Sequence, residues 1–319
     1  MSPSRTRGAL PPPRKRFGQH FLEPAWVAKI IASLDASPTD RFIEIGPGRG
    51  ALTGPLAPLV AELVAVEIDR DLAAHLSTTL GLVARGHATE GARGDPGNTE
   101  GVPATNRVAR GHAIEGARGD PWNAEGPATN TVVVTADVLA VDLGSLVPRE
   151  HLPARVVGNL PYNISAPILF RLFAASAGGA VIRDATVMLQ EEVADRLMAE
   201  PGTSEYGVLT VYTALHARAT RLLTLPPGAF RPPPKVTSTV VQLHFTPPPV
   251  DVGRPAVFDA IVRGAFAHRR KTLPNALRFA AEALGKDPAI LVAVAGLDPR
   301  RRPGDLSLAD FAALARAVL

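Results

Sequence analysis

An α/β fold with a mostly parallel sheet, followed by a smaller all-helical C-terminal domain, is predicted by three features of this 319-residue sequence. Short β-branched runs alternate with segments of helical periodicity, the alternation breaks once between residues 219 and 245, and beyond residue 249 the pattern is wholly helical. Strands are expected at 41–45, 62–68, 131–136, 155–158, 184–189, 219–225 and 237–245, with helices at 51–59, 70–80, 165–175, 191–199 and 206–217. The last two strands have no helix between them, so an antiparallel edge is expected there. After the prolines at 247–249, apolar positions recur at helical spacing in 256–267, 273–284, 288–295 and 308–318. The expected division is a flexible basic tail over 1–16, an α/β domain over 17–249 and a helical domain over 250–319.

A hydrophobic content of 46% against 20% charged residues can fill a real core. The net charge is only +4, but the pI is about 9.7 and the basic residues cluster, which points to a polyanionic partner. With no cysteine in the chain, disulfides, thiolate zinc sites and cysteine nucleophiles are excluded. The N-terminus is basic and lacks the apolar core of a signal peptide, and no apolar run reaches membrane-spanning length, so a soluble, cytoplasmic protein is expected.

One segment departs from the pattern. The run VARGHATEGARGDPGNTEG, beginning at Val83, recurs as VARGHAIEGARGDPWNAEG, beginning at Val108. Two copies rich in Gly, Ala, Asn and Pro cannot bury a core, so a disordered insertion is expected over 81–130. Its histidines, His87 and His112, stand alone in polar surroundings, and no metal site is expected. The insertion joins a helix to the next strand and so emerges at the amino ends of the parallel strands, away from the carboxyl ends where such sheets bind ligands.

The first strand runs straight into Gly46-Pro47-Gly48-Arg49-Gly50, a glycine-rich turn that lets a ligand approach the backbone. Ala51 also satisfies the looser form of a dinucleotide-binding fingerprint, and Glu67, ending the next strand, can accept both hydroxyls of a ribose. At this point NAD and S-adenosylmethionine are served equally. The third strand ends at Asp137, and the fourth runs into Asn159-Leu160-Pro161-Tyr162, which hydride chemistry has no reason to carry. Such a tetrapeptide suits methylation of an aromatic amine, whose lone pair is delocalised into the ring. The Asn159 side-chain oxygen and the Leu160 carbonyl can accept the two N–H hydrogens, Pro161 stiffens the turn, and Tyr162 offers a face for a purine. The target base must be unpaired or flipped, and Phe230 is the candidate for a second ring against it.

Six motifs in order, RKRFGQHFL at Arg14, EIGPGRGALT at Glu44, EIDRDLA at Glu67, GNLPYNIS at Gly158, AFRPPPKVTS at Ala229 and FAHRRKTLPNAL at Phe266, resemble the ribosomal RNA adenine N6-dimethyltransferase family. The resemblance implies a Rossmann-like S-adenosylmethionine-dependent methyltransferase sheet, with cofactor contacts from His20, Leu22, Gly46, Glu67, Asp137 and Asn159. The family often has Asn where His20 stands, and Gly where Ala136 precedes Asp137. The RRKTL element, the PPPKV turn and the sizeable C-terminal domain are closest to the bacterial small-subunit branch. That branch implies dimethylation of two adjacent adenines in the 3′-terminal hairpin loop of 16S rRNA within the pre-30S subunit, by a monomer, with a role in ribosome biogenesis. A 23S rRNA methyltransferase of the macrolide-resistance type, or an RNA-binding assembly factor with little catalysis, are the alternatives. Arg14, Lys15 and Arg16, with Arg269, Arg270 and Lys271, form two basic clusters suited to RNA phosphates.

Overall fold

The computed structural model describes residues 20–81, 85–86 and 130–318. The tail 1–16 and nearly all of the insertion 81–130, with His87 and His112, lie outside the described residues. Among those residues an eight-stranded sheet carries the fold. Its strands are β2 (Arg41–Ile45), β3 (Glu62–Glu67), β4 (Arg85–Gly86), β5 (Thr131–Thr135), β6 (Ala154–Asn159), β7 (Ile182–Gln190), β8 (Ala217–Leu225) and β10 (Ser238–Phe245), ordered β4-β5-β3-β2-β6-β7-β10-β8. The strands are parallel through β7, whereas β10 pairs antiparallel with both β7 and β8, giving the expected antiparallel edge. The Rossmann-like α/β class is the one expected. Two short strands outside this sheet, β1 (Phe21–Leu22) and β9 (Phe230–Arg231), pair antiparallel with each other.

The central strands are apolar on both faces because both are covered. On one face Ile43, Ile45, Val64, Val66 and Val156 pack with Ile168, Leu169, Leu172 and Phe173 of α4 (Ser165–Ala175). On the other, Phe42, Leu63 and Val157 meet Val27 and Ile30 of α1 (Pro24–Ser33) and Leu56 of the short α2 (Thr53–Leu56). Helix α1 was not expected from the sequence, and the helix expected over 51–59 is α2 followed by a 3-10 turn at Ala57–Leu59. Helix α3 (Arg70–Thr79) buries Ala73 and Leu76 against Ala65 and Val133.

Helices α5 (Glu191–Leu197) and α6 (Val208–His216) precede β8, and α7 (Pro255–Ala267), α8 (Leu273–Ala283), α9 (Pro288–Val294) and α10 (Leu308–Ala317) follow β10. The last four share a core of Phe258, Ile261, Leu277, Leu291 and Phe311, to which Tyr206, Val211 and Leu215 also belong. The Tyr206 hydroxyl donates to the Leu306 carbonyl at 2.6 Å, and the Arg263 guanidinium lies 4.7 Å from the centre of the Phe170 ring on α4. Helix α6, with Leu209 in the core of the sheet and Val211 and Leu215 in the helical core, joins the two.

At the amino ends of the strands, opposite the glycine-rich turn, Arg155 is buried inside the sheet. Its guanidinium donates to Asp184 (3.0 Å), Asp40 (2.8 Å) and the Leu34 carbonyl (2.8 Å), tying β6 to β7, to the entry of β2 and to the end of α1. Burial alone raises the Asp40 pKa, but the Ser37 N–H, Arg155 and Arg183 together hold its carboxyl below the usual range. The stabilisation from Asp40 is therefore present above the ordinary carboxylate range and lost as the pH falls through the folded value. Arg155→Leu leaves two acids without their central cation and should cost about 3 kcal/mol, read from urea denaturation.

Candidate active site

The site lies where β2, β3, β5 and β6 end together. Ile45 pairs with Val66 on one side and with Gly158 on the other, and Glu67 pairs with Thr135, so the residues that follow each strand meet along one edge. The turn after β2 is drawn across this edge: Gly46 N–H donates to the Val66 carbonyl at 3.0 Å, and Gly48, at φ +59°, donates its N–H to Glu67 Oε2 at 3.0 Å. Gly158 permits the fit on the other side, since a Cβ there would lie 2.6 Å from the Ile45 carbonyl oxygen.

The resulting cavity holds about 1100 Å³, its open mouth included, and all six residues expected to touch a cofactor line it: His20, Leu22, Gly46, Glu67, Asp137 and Asn159. Glu67 is buried at the end of β3. Its Oε1 accepts the Asp69 N–H at 2.9 Å, and each carboxylate oxygen keeps acceptor capacity for a ribose hydroxyl. Burial raises its pKa, the backbone N–H groups of Asp69, Gly48 and Ile68 oppose that, and the nearby Asp69 carboxylate adds to it. Asp137 is exposed at the mouth, with Oδ1 accepting the Leu139 N–H at 2.9 Å. Ile68 and Val138, which sequence reasoning passed over, supply the apolar walls beside these two acids. Their only signal was position, one residue beyond each strand-end acid.

The lining separates the two cofactors that the glycine turn could not. Glu44, Glu67 and Asp137 line the cavity, with no Lys or Arg among the lining residues. A diphosphate would need a cation or a substantial helix N-terminus, and the helix after this turn has four residues. S-adenosylmethionine carries a sulfonium and an ammonium, so an acidic cavity fits it.

The tetrapeptide after β6 forms the far wall. Asn159 Nδ2 donates to the His20 carbonyl at 2.9 Å; because a carbonyl only accepts, the amide presents its NH2 there and keeps Oδ1 as a spare acceptor. Leu160 is buried and its N–H is used by the Met188 carbonyl at 3.2 Å. Tyr162 bonds through its hydroxyl to Ser238 Oγ at 2.6 Å, which fixes the ring, and burial raises the phenol pKa although the Ser238 bond opposes it. The His20 imidazole stacks on Tyr162, with centroids 5.6 Å apart and planes at 23°, and meets Phe230 edge-on at 6.5 Å. Phe230 itself is fully buried. His20 Nδ1 is held 2.8 Å from the Pro232 carbonyl, so this nitrogen carries the hydrogen.

Of the basic residues expected at an RNA surface, Arg14, Lys15 and Arg16 lie outside the described residues. Arg269 spends its guanidinium on the Ser204 and Thr203 carbonyls, both at 2.5 Å, clamping the 200–205 loop onto the helical core. Arg270 and Lys271 are exposed. Arg269 and Arg270 share a second, open pocket with Arg302, Gly202, Gly304 and Asp305. Arg302 was also missed from the sequence, although the Arg300-Arg301-Arg302 run marked it. Among the described residues no group of three or more His, Asp or Glu could hold a metal ion, and no helix is long and apolar enough to cross a membrane.

The sequence pattern described as ribosomal RNA adenine dimethylase matches residues 12–88 and 123–287. The chain belongs to that family. Proteins named ribosomal RNA small subunit methyltransferase A are similar to it almost end to end. The one from Methylococcus capsulatus is 39% identical, with 96% of this chain and 98% of the relative covered, and the one from Acinetobacter baylyi is 39% identical over 94% and 90%. Among solved structures, a dimethyladenosine transferase from Plasmodium falciparum shares the fold at a TM-score of 0.64 and 21% identity, covering 92% of this chain and 96% of its own. The 23S rRNA methyltransferase ErmE does so at 0.55 and 22%, covering 93% and 99%. Members of the family are methyltransferases acting on rRNA adenine, and the cofactor of this chain is S-adenosylmethionine.

Gly158→Ala should cost about 1–3 kcal/mol, because β2 and β6 must part to admit the Cβ. Denaturation in urea would show the loss, and calorimetry would show weakened cofactor binding.

Proposed function

We propose that this chain dimethylates the N6 amines of two adjacent adenines in the 3′-terminal hairpin loop of 16S rRNA, in the cytoplasm, acting as a monomer on the small subunit during its assembly. The observation that carries the amine chemistry is the Asn159 bond to the His20 carbonyl, which leaves Oδ1 as an oriented acceptor. The small-subunit assignment rests on the 39% identity, over nearly the whole chain, to proteins named for that subunit.

The bound cofactor supplies an electrophilic methyl group on a sulfonium. Asn159 Oδ1 and the Leu160 carbonyl accept the two N6 hydrogens, which draws the nitrogen toward the pyramidal form and frees its lone pair for attack. Tyr162 supports the purine from one face with its ring pinned through Ser238. For adenine to take that face, the His20 imidazole must leave it, and its departure also uncovers the edge of Phe230. A ring already methylated once still presents one N–H, so one acceptor remains in use during the second transfer.

Arg270 and Arg302 in the second pocket, with Lys271 nearby and Arg269 supporting the pocket from within, hold phosphates flanking the hairpin, and residues 250–319 serve as the rRNA-recognition domain. Arg14, Lys15 and Arg16 are the second basic cluster offered to RNA phosphates. Arg269 acts through the 200–205 loop, whereas Arg270 is exposed to meet RNA directly.

Incubation of unmethylated small subunits with labelled cofactor should place the label in N6,N6-dimethyladenosine at the 3′ end of 16S rRNA; label in 23S rRNA, or none, would overturn the assignment. Asn159→Ala should slow single-turnover transfer by about 100- to 1000-fold while subunit binding is retained. Arg270→Ala should lower the salt slope of RNA binding by about one without changing the melting temperature. Arg269→Ala should lower the melting temperature as well, by releasing the 200–205 loop.

A further inference from the structure

One ionisable group in the cofactor cavity has no part in holding the ribose or the amine. Glu44 precedes the last residue of β2, is 1% exposed and lines the cavity, and its Oε2 has no hydrogen-bond partner. Burial raises its pKa to about 7; the Thr53 hydroxyl opposes the shift, and repulsion from the Glu67 carboxylate adds to it. A buried acid with an unpartnered oxygen is costly to keep, and β2 could have carried an apolar residue here as it does at Phe42, Ile43 and Ile45. The other charged groups around the cavity do not compensate it. Glu67 on β3 and Asp137 after β5 are acids, Tyr162 is neutral, and His20 is committed to Tyr162 and Pro232. Arg49 in the same turn directs its guanidinium onto the Phe21 ring, 4.0 Å away.

We propose that Glu44 is the counter-charge for a cationic group of the cofactor, protonated in the empty cavity and releasing its proton to solvent when the cation enters. The inference rests on the reading of this cavity as the S-adenosylmethionine site. Two groups share the required chemistry, the sulfonium and the α-ammonium. If the sulfonium is the one sensed, methyl transfer removes the charge, since the bond from sulfur to methyl breaks and its electron pair stays on sulfur. Glu44 then takes its proton back from solvent, and the neutral thioether is held less firmly than the substrate cofactor.

Calorimetric titrations of the full chain at pH 7, in buffers of different ionisation enthalpy, count the protons exchanged on binding. With Glu44 half-protonated at that pH, S-adenosylmethionine should release about half a proton. Its affinity should rise about tenfold between pH 6 and pH 8 through Glu44, as the empty cavity loses the proton that binding must otherwise displace. Glu44→Gln removes the ionisable group with little change in shape. The ligand's own amine titrates against both proteins, so the difference between them in proton release and in pH dependence belongs to Glu44.

Two further ligands locate the charge. S-adenosylhomocysteine lacks the sulfonium, and 5′-methylthioadenosine lacks both cations. Release with the first cofactor alone identifies the sulfonium, and release with both amino-acid ligands but not the third identifies the ammonium. Equal release with 5′-methylthioadenosine, or unchanged release in Glu44→Gln, overturns the proposal. The wild-type comparison of the three ligands stands even if the variant folds poorly, which a melting curve would reveal. If S-adenosylmethionine does not bind the wild-type chain at all, it is the cofactor reading that fails; if it binds without proton release, only the role of Glu44 fails.

Discussion

The close approach of β2 and β6 at their carboxyl ends is the constraint on which the rest of the site depends. Gly158 lies so near the Ile45 carbonyl that a methyl group cannot be inserted without parting the two strands. That contact places the glycine turn beside the Asn159 tetrapeptide, whose backbone oxygen would lie 3.8 Å from a Cβ at Gly46. Glu67 is one strand further on and is bonded back to the turn through Gly48. A methyl donor bound along the turn is therefore delivered beside the amine acceptors without any movement of the sheet. The geometry is set by strand register, which is among the stiffest features a protein has, and not by loop conformation.

Charge is partitioned to match. The chain is basic as a whole, with a pI of about 9.7, yet the cofactor cavity is lined by acids and by no lysine or arginine. Arginines instead gather on the helical core, at 269, 270 and 302. On the proposed reading a cationic small molecule and a polyanionic macromolecule are drawn to different places on one protein, and neither field need cancel the other. The Arg263 contact with Phe170, and the membership of α6 in the helical core, hold the two regions in one register.

How much could be read from the amino-acid sequence follows the same physics. Strands buried on both faces announce themselves as apolar runs, and residues that must follow them at fixed points, such as Gly46, Glu67, Asp137 and Asn159, were readable because the site is made of strand ends. The pair β1 and β9 was not. Two residues cannot show a period, and their pairing spans more than two hundred positions. Helix α1 escaped for a related reason: its buried face within Pro24–Ser33 amounts to Val27 and Ile30. Arg269 was read as an RNA contact from its charge alone, and only the structure shows its donors engaged by the carbonyls of Thr203 and Ser204. Glu44 was read as part of a glycine motif, since nothing in a sequence distinguishes a buried, unpaired carboxyl from a solvated one.

The segment carrying His20, legible as a motif but not as a paired strand, is also the one that links the two halves of the chemistry. Its backbone carbonyl orients the Asn159 amide, its imidazole covers the Tyr162 face, and the strand that follows places Phe21 against Gly48 and Leu22 in the cofactor cavity. Pairing of that strand with Phe230–Arg231, reinforced by the 2.8 Å contact of Arg231 with Glu23, carries any displacement at one site toward the other. The cofactor cavity and the amine acceptors are thus joined through a hydrogen bond from a single side chain, that of Asn159, to a single backbone carbonyl, that of His20.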